Sequence, residues 1–310
     1  MPPPKVIVFG PTGAVGSAAA LTASELGAPV ILAMRDPSKP IPVLSDLEKA
    51  ANFTRIYADL TKPDTVHAAI STTGAKHAFL YCAHGTPDHM KATVQALKAA
   101  GIEFVVFLSS YTVRGDLEAI PPAEAIPYVH AQVEIQLREV FGEKGFVAAR
   151  PGSFASNTRQ YAKEVREGEV RMYRPGLKVD CIVPEDIGRV CGGILVRGPR
   201  DGEERAVYLY GPELLTQEGT VKVLEKVLGK EIKVRELDEG ETYKMFMDRG
   251  TPEYFVKYMI NLMKRSGTEE YQVYGYPVAK EELLNVEKYS GRKATTFEEW
   301  AEQNKESFVS

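Results

Sequence analysis

Lys5-Val6-Ile7-Val8-Phe9-Gly10-Pro11-Thr12-Gly13-Ala14-Val15-Gly16 is the stretch that decides the fold of this 310-residue chain. Its first five residues are a β-rich apolar run without alternation, as a central parallel strand covered on both faces requires. Gly10, Gly13 and Gly16 follow at once, spaced GxxGxxG. From Ser17 to Leu26 the chain is Ala-rich and predicts a helix that stops at Gly27, a favourable residue just past a helix end. Pro29 to Met34 predicts the next strand. These residues together predict one βαβ unit.

The rhythm repeats downstream. Strands are predicted over 55–58, 77–82, 104–108 and 146–150, and helices over 65–70, 88–100 and 130–141. Strands alternating with helices at this spacing imply a parallel sheet with helices on both faces. After Pro151 the rhythm breaks. Residues 152–176 are mixed and polar, 179–183 and 206–210 read as late strands, and 186–196 reads as a helix with Asp186 near its start. Helices dominate from Thr216, with one strand near 231–237. The expected architecture is α/β, a doubly wound parallel sheet of the Rossmann type over 1–152, rejoined by 177–210. A smaller, mostly helical C-terminal lobe takes 153–176 and 211–310.

Composition bounds the partners. There are 42 acidic residues against 38 Lys+Arg, a formal net charge of −4. That balance lacks the diffuse attraction on which nonspecific nucleic-acid binding depends. No apolar run approaches the roughly 20 residues that span a bilayer. The first residues lack the charged region, long apolar run and small-residue cleavage site of a signal peptide. Cys82, Cys181 and Cys191 are an odd number without CxxC spacing, so they fit neither a disulfide framework nor a zinc site. The expectation is a reduced, cytoplasmic protein with a small-molecule substrate and no metal, nucleic-acid or membrane partner. A homodimer stays open.

The glycine turn carries the first chemistry. A GxxGxxG that follows a buried strand and opens a helix has the context of a dinucleotide site. Glycine lets the backbone turn tightly beside a pyrophosphate, and the N–H groups and dipole of the helix start stabilise the anion. Gly10, Gly13, Ala14, Val15 and Gly16 are the candidates, with Thr12 as a hydroxyl donor. The end of the second strand selects the cofactor. NAD sites often place Asp or Glu there, against the ribose hydroxyls. Here Arg35 stands at that place, with Lys39 behind it, and an arginine can pair with a 2′-phosphate. NADP(H) is therefore favoured over NAD(H). The competing reading makes Arg35 a surface charge and lets Asp36 read the ribose. Asp59 and Leu60, ending the third strand, either reach the adenine or form a plain turn.

Chemistry in such sheets sits at the carboxyl ends of the strands. The candidates are Ala83 and His84 after the fourth strand, and Ser109, Ser110 and Tyr111 after the fifth. Pro151, Gly152, Ser153 and Phe154 follow the sixth, and Tyr128 and His130 stand at the start of the intervening helix. For Tyr128, His130 and Ser110, ordinary packing or capping is the competing role.

In this order, the chain resembles the NmrA-like family of atypical short-chain dehydrogenases/reductases. The resemblance rests on 10–16, Arg35-Asp36-Pro37, Asp59-Leu60, Leu108-Ser109-Ser110, Arg150-Pro151-Gly152-Ser153-Phe154 with Asn157, and Pro184-Glu185-Asp186-Ile187-Gly188. Tyr210 to Thr216 and Thr296 to Trp300 complete it. It implies a dinucleotide across the strand ends, with 151–154 beside the nicotinamide. It also implies a split in function, between NADPH-dependent reductases and redox-sensing regulators without turnover. The usual dehydrogenase pair, Tyr and a Lys four residues later, is absent in this register, because Gln132 follows Tyr128. Where reductase relatives often keep a Lys, this chain has His130, which can bond a ribose and relay a proton. Candidate proton donors are His130, Tyr128, Ser110 and Tyr111.

Six of the 15 tyrosines and four of the eight methionines fall between Tyr243 and Tyr276. Such side chains line adaptable apolar pockets, and they also build small helical cores. The leading expectation is an NADPH-dependent oxidoreductase acting on a medium-sized aromatic or conjugated carbonyl, such as an enone or quinone. The alternatives are a nonenzymatic NAD(P)-sensing regulator that binds a partner protein, and a redox-neutral isomerase, lyase or cyclase.

Overall fold

The computed structural model describes residues 2–50, 53–83, 85–198, 205–265 and 272–309. The strands β1 (Val6–Phe9), β2 (Val30–Met34), β3 (Phe53–Tyr57), β4 (His77–Tyr81), β5 (Phe104–Leu108) and β6 (Phe146–Pro151) come first. Two short strands, β7 (Glu169–Tyr173) and β8 (Lys178–Val179), precede β9 (Ala206–Leu209). Among the described residues one sheet has the order β3-β2-β1-β4-β5-β6-β9, and every pairing in it is parallel. The order reverses between β1 and β4, which opens a crevice at the strand ends there.

The helices α1 (Ala14–Glu25), α2 (Ser45–Ala50), α3 (Pro63–Thr73), α4 (Lys91–Ala99), α5 (Ala125–Phe141), α6 (Ala162–Glu167) and α7 (Pro184–Arg197) connect these strands. The β1 side chains alternate between two cores, which is why the strand is apolar throughout. Val6 and Val8 join Ile187 and Val190 of α7 on one face. Ile7 and Phe9 join Ile70 of α3, Leu97 of α4 and Leu137 of α5 on the other. The helices α1 and α7 approach so closely that a Cβ on Gly188 would stand 2.5 Å from the Val15 carbonyl oxygen and 2.4 Å from the Ala18 Cβ.

The lobe has its own core of Val165, Val170, Val221, Leu224, Trp300 and Phe308. It is built from β10 (Leu215–Thr216), α8 (Gln217–Leu228), β11 (Lys233–Leu237), α9 (Glu239–Asp248) and α10 (Glu253–Arg265). The helices α12 (Phe297–Gln303) and α13 (Glu306–Val309) complete it, whereas α11 (Asn285–Ser290), expected in the lobe, buries Val286 and Tyr289 against α7 in the sheet's core. Its helix starts are encoded locally, with capping boxes Asp238/Glu241 on α9 and Thr296/Glu299 on α12.

Three local expectations change. The helix expected from His130 begins at Ala125, so Tyr128 and His130 sit inside its first two turns. The strand expected over 179–183 ends at Val179, because Cys181 takes φ +49° and turns the chain. Ile182 then makes only an isolated bridge to Phe154. Within the polar stretch 152–176, β7 pairs in parallel with β11, the partner that a short run of alternating residues could not name.

Candidate functional site

Three contiguous cavities run along the ends of the strands, and the exposed ring of Tyr81 at the end of β4 lines all three. The middle one lies on the glycine turn. Gly10 adopts φ +70°, a conformation that favours glycine. A Cβ on Gly16 would stand 2.3 Å from the Gly10 carbonyl oxygen, so the helix can start this close to the strand only with glycine there. Gly13 is the N-cap of α1 and no side chain caps it, so the first amides of the helix lack intrahelical partners. Gly10, Thr12, Gly13, Ala14, Val15 and Gly16 all line this cavity. The residues present therefore fit a pyrophosphate: open amides, the positive end of a helix dipole and no side chain in the way.

The cavity at the β2–β3 end is lined by Arg35, Asp59, Leu60 and Ala83, with Thr12 joining it to the middle. Arg35 is exposed at its rim. Asp36 is turned away. Its carboxylate accepts from the Ser38 hydroxyl at 2.6 Å and the Ser38 amide at 3.0 Å, and these bonds hold it below the usual carboxylate range. Asp59 likewise accepts from the Thr61 amide and hydroxyl, at 2.9 and 2.8 Å. Lys39 is exposed and does not line the cavity, whereas its carbonyl and that of Pro37 each accept from Arg55 at 2.7 Å. Arg55 is also paired with Glu48, so it clamps the turn that presents Arg35. His84 lies outside the described residues.

The cavity at the β5–β6 end collects Ser109, Ser110, His130, Pro151, Gly152 and Phe154. His130 donates from Nδ1 to the Ile126 carbonyl one turn back, at 2.8 Å. Tyr128 lines none of these cavities, and its ring packs edge-on against His89. Cys82 shares the cavity, but burial pushes its thiol up to about 11, so it is no nucleophile at neutral pH.

Beneath this end lies a buried charge network that sequence reading did not find. Glu134 of α5 accepts from the Ser109 hydroxyl at 2.5 Å and from Arg150 at 2.6 and 3.1 Å. Arg150 also donates to the Val113 carbonyl and the Tyr208 hydroxyl, at 3.0 and 2.7 Å. One ion pair thus ties α5 to the ends of β5 and β6 and to the loop after β5. A second buried carboxylate, Asp180, accepts from the Ser153 amide at 2.7 Å and the Gly211 amide at 3.0 Å. It sits so close under Gly152 that a Cβ there would meet it at 2.4 Å. Burial pushes its carboxyl up to about 7, against the bonds from these amides.

A larger cavity of about 590 Å³ opens between the strand ends and the lobe. It shares Ser110 and Gly152 with the β5–β6 cavity, so the two adjoin. Tyr111 lines it and is packed against Tyr210 and Tyr276, and burial raises its phenol well above the ordinary value. Met245, Phe246, Phe255 and Met259 of α9 and α10 form the facing wall. The methionine- and aromatic-rich stretch thus does both jobs, since Val256, Ile260 and Met263 of the same helix build a small core with Leu177.

The model of the NmrA-like family matches residues 3–301 of this chain. The nitrogen metabolite regulation-like protein bik4 of Gibberella fujikuroi is 38% identical, over 98% of this chain and 98% of its own length. A (4-alkanoyl-5-oxo-2,5-dihydrofuran-3-yl)methyl phosphate reductase of Streptomyces griseus is 26% identical, over 98% of this chain and 99% of its own. Among solved structures, the NADPH complex of the quinone oxidoreductase QOR2 of Escherichia coli matches with a TM-score of 0.72 at 18% identity. That match covers 96% of this chain and 99% of that one, and it is a likeness of fold.

Proposed function

Since the chain belongs to the NmrA-like family, we propose that it is an NADPH-dependent oxidoreductase acting on a medium-sized aromatic or conjugated carbonyl compound. The observation that carries this reading is the adjacency of the two cavities. The trough on the glycine turn ends at Ser110 and Gly152, and the 590 Å³ cavity begins at the same two residues. A nicotinamide held at that end would supply the hydride, and the substrate oxygen would then need one proton. Ser110 and Tyr111 are the side chains in place to meet that oxygen. The buried Tyr111 phenol stays protonated, so it can donate a hydrogen bond to developing negative charge. His130 lines the cofactor side of that junction. The turn on Gly10 and Gly16 holds the pyrophosphate, and Phe154 and Pro151 close the far end of the trough.

NADPH is favoured over NADH by the 35–39 turn. Arg35 makes no hydrogen bond with a described residue, and the carboxylate of Asp36, which could have read a ribose, is committed to Ser38. The test is consumption of NADPH at 340 nm with a panel of quinones and enones, against NADH at equal concentration. A second reading, a dinucleotide-sensing regulator without turnover, is favoured by the side chains around Tyr128. The residue four places on is Gln132, and the Tyr128 ring is spent on His89. A sensor binds oxidised and reduced cofactor with clearly different affinity by calorimetry and consumes neither.

A further inference from the structure

Resting on the reading of the 590 Å³ cavity as the substrate site, we propose that it selects an uncharged molecule with one oxygenated edge and one hydrocarbon edge. The chemical class is a hydroxylated, alkyl-bearing ring system with a conjugated carbonyl. Three observations carry this.

First, no Lys, Arg, His, Asp or Glu lines the cavity among the described residues. The charges of the surrounding elements are engaged elsewhere. Arg174 donates to the carbonyls of Met263 and Lys264, at 2.6 and 2.9 Å. Glu164 faces Arg171 and Arg249. A ligand charge would enter without a counter-ion and lose its water for nothing.

Second, the two walls differ. The strand-end side offers Ser110, Thr112, Ser153, Ser156 and Asn157, and the α9–α10 side offers the methionines and phenylalanines, with Thr242, whose hydroxyl donates to the Asp238 carbonyl, and Thr251 as its polar members. Taking about 150 Å³ as a cavity that holds one benzene, the 590 Å³ space has room for three to four rings. A molecule bound there turns its oxygens to the strand ends and its hydrocarbon to the helices.

Third, Gln217 sets a polar fixture on the lobe side. Its amide nitrogen is committed to the carbonyls of Tyr173 and Arg174, both at 3.1 Å. Its carbonyl oxygen, to which no described residue donates, is left as the acceptor it offers the cavity. An acceptor in that position matches a phenolic hydroxyl on the ligand.

The experiment compares ligands that differ in charge. The full-length protein, saturated with NADP⁺ so that nothing turns over, is titrated with 5-hydroxy-1,4-naphthoquinone at pH 6.5, with 1,2-naphthoquinone-4-sulfonate and with the cationic dye crystal violet. The uncharged quinone is expected to bind about 30-fold or more tightly than either ion. Thr251→Lys and Met259→Lys each place a cation at the cavity wall, and each is expected to raise sulfonate affinity while lowering that of the uncharged quinone. Unchanged Trp300 fluorescence shows that each variant is folded. Binding of either ion within threefold of the uncharged quinone overturns the proposal, and so does failure of all three to bind. The same ligands with NADPH keep the two readings apart. Selective binding of the uncharged quinone without NADPH consumption retires the reductase reading and leaves the selectivity intact. NADPH consumption as fast with the sulfonate does the reverse.

Discussion

Replacing Glu134 by alanine tests whether the buried ion pair holds the strand ends together. The two side chains are 3% and 8% exposed, so the loss leaves the Arg150 guanidinium facing a gap inside the protein. Removing one partner of a buried pair costs about 3–5 kcal/mol. Arg150 keeps the Val113 carbonyl and the Tyr208 hydroxyl as acceptors, which places its share at the lower end, about 3 kcal/mol. The Ser109 hydroxyl also loses its acceptor, for about 1 kcal/mol more. The expected total is about 4 kcal/mol, or a fall in Tm of about 8 °C at the lower slope for long chains. Urea unfolding should be followed by two probes. The single tryptophan, Trp300, is buried in the lobe core and reports the lobe, and far-UV circular dichroism reports the whole chain. Coincident curves justify a single free energy. Arg150→Met alone should cost a comparable amount, and the pair Glu134→Leu with Arg150→Met about 2 kcal/mol less than the sum of the singles. A Glu134→Ala protein within about 1 kcal/mol of the parent, with the same m-value, refutes the reasoning.

Arg35→Ala should weaken NADPH binding about 10- to 100-fold, the loss of a charge-assisted bond to a phosphate, and leave NADH nearly unchanged. Equal losses for both cofactors in calorimetry remove Arg35 from the selection. Tyr111→Phe should lower kcat with little change in KM, whereas Tyr128→Phe should leave both alone; steady-state kinetics on any accepted quinone decides. Gly16→Ala brings a Cβ to 2.3 Å from the Gly10 carbonyl oxygen, so cofactor binding should be lost even where circular dichroism shows a folded sheet. The Asp180 carboxyl lies at about 7 in the folded protein and near 3.9 in an unfolded chain. The folded state therefore holds the extra proton between those values, and this residue's contribution to stability falls as pH rises from about 4 through about 7. Urea midpoints at pH 5 and 8 should show that slope in the parent and a smaller one in Asp180→Asn; identical slopes dismiss it.

What was legible in the sequence follows the range of the forces involved. The glycine turn is local: strand, Gly10, Gly16 and helix are contiguous, and each residue type answers to its own backbone geometry. The parallel order of the sheet was readable for the same reason, since each βα unit buries its own apolar runs. The pairing of Glu134 with Arg150, and of Asp180 with the amides of Ser153 and Gly211, joins residues 16 to 31 positions apart, and neither residue type announces such a role. A signal did exist, because Arg150 stands near the end of an otherwise apolar strand that is buried at every position, and a buried arginine demands a counter-charge.

The site divides along the same line. Residues that touch the backbone-shaped part of the trough were found from the motif, while Tyr81, Arg55 and Gln217 were not, because their work depends on where another segment lies. Tyr128 shows the converse. It sat at a suggestive place in the chain, two residues before the helix start expected at His130. Once the helix is seen to begin at Ala125, the turn of α5 carries its ring to His89 and carries His130 to the trough. A shift of five residues in a helix start thus reassigns which side chain can meet the cofactor. The missing lysine is consistent with that change: with the α5 tyrosine turned away, a cation placed to lower its pKa would have nothing to act on. An acid would then come from the loop after β5, where Ser110 lines both cavities and Tyr111 lines the larger one.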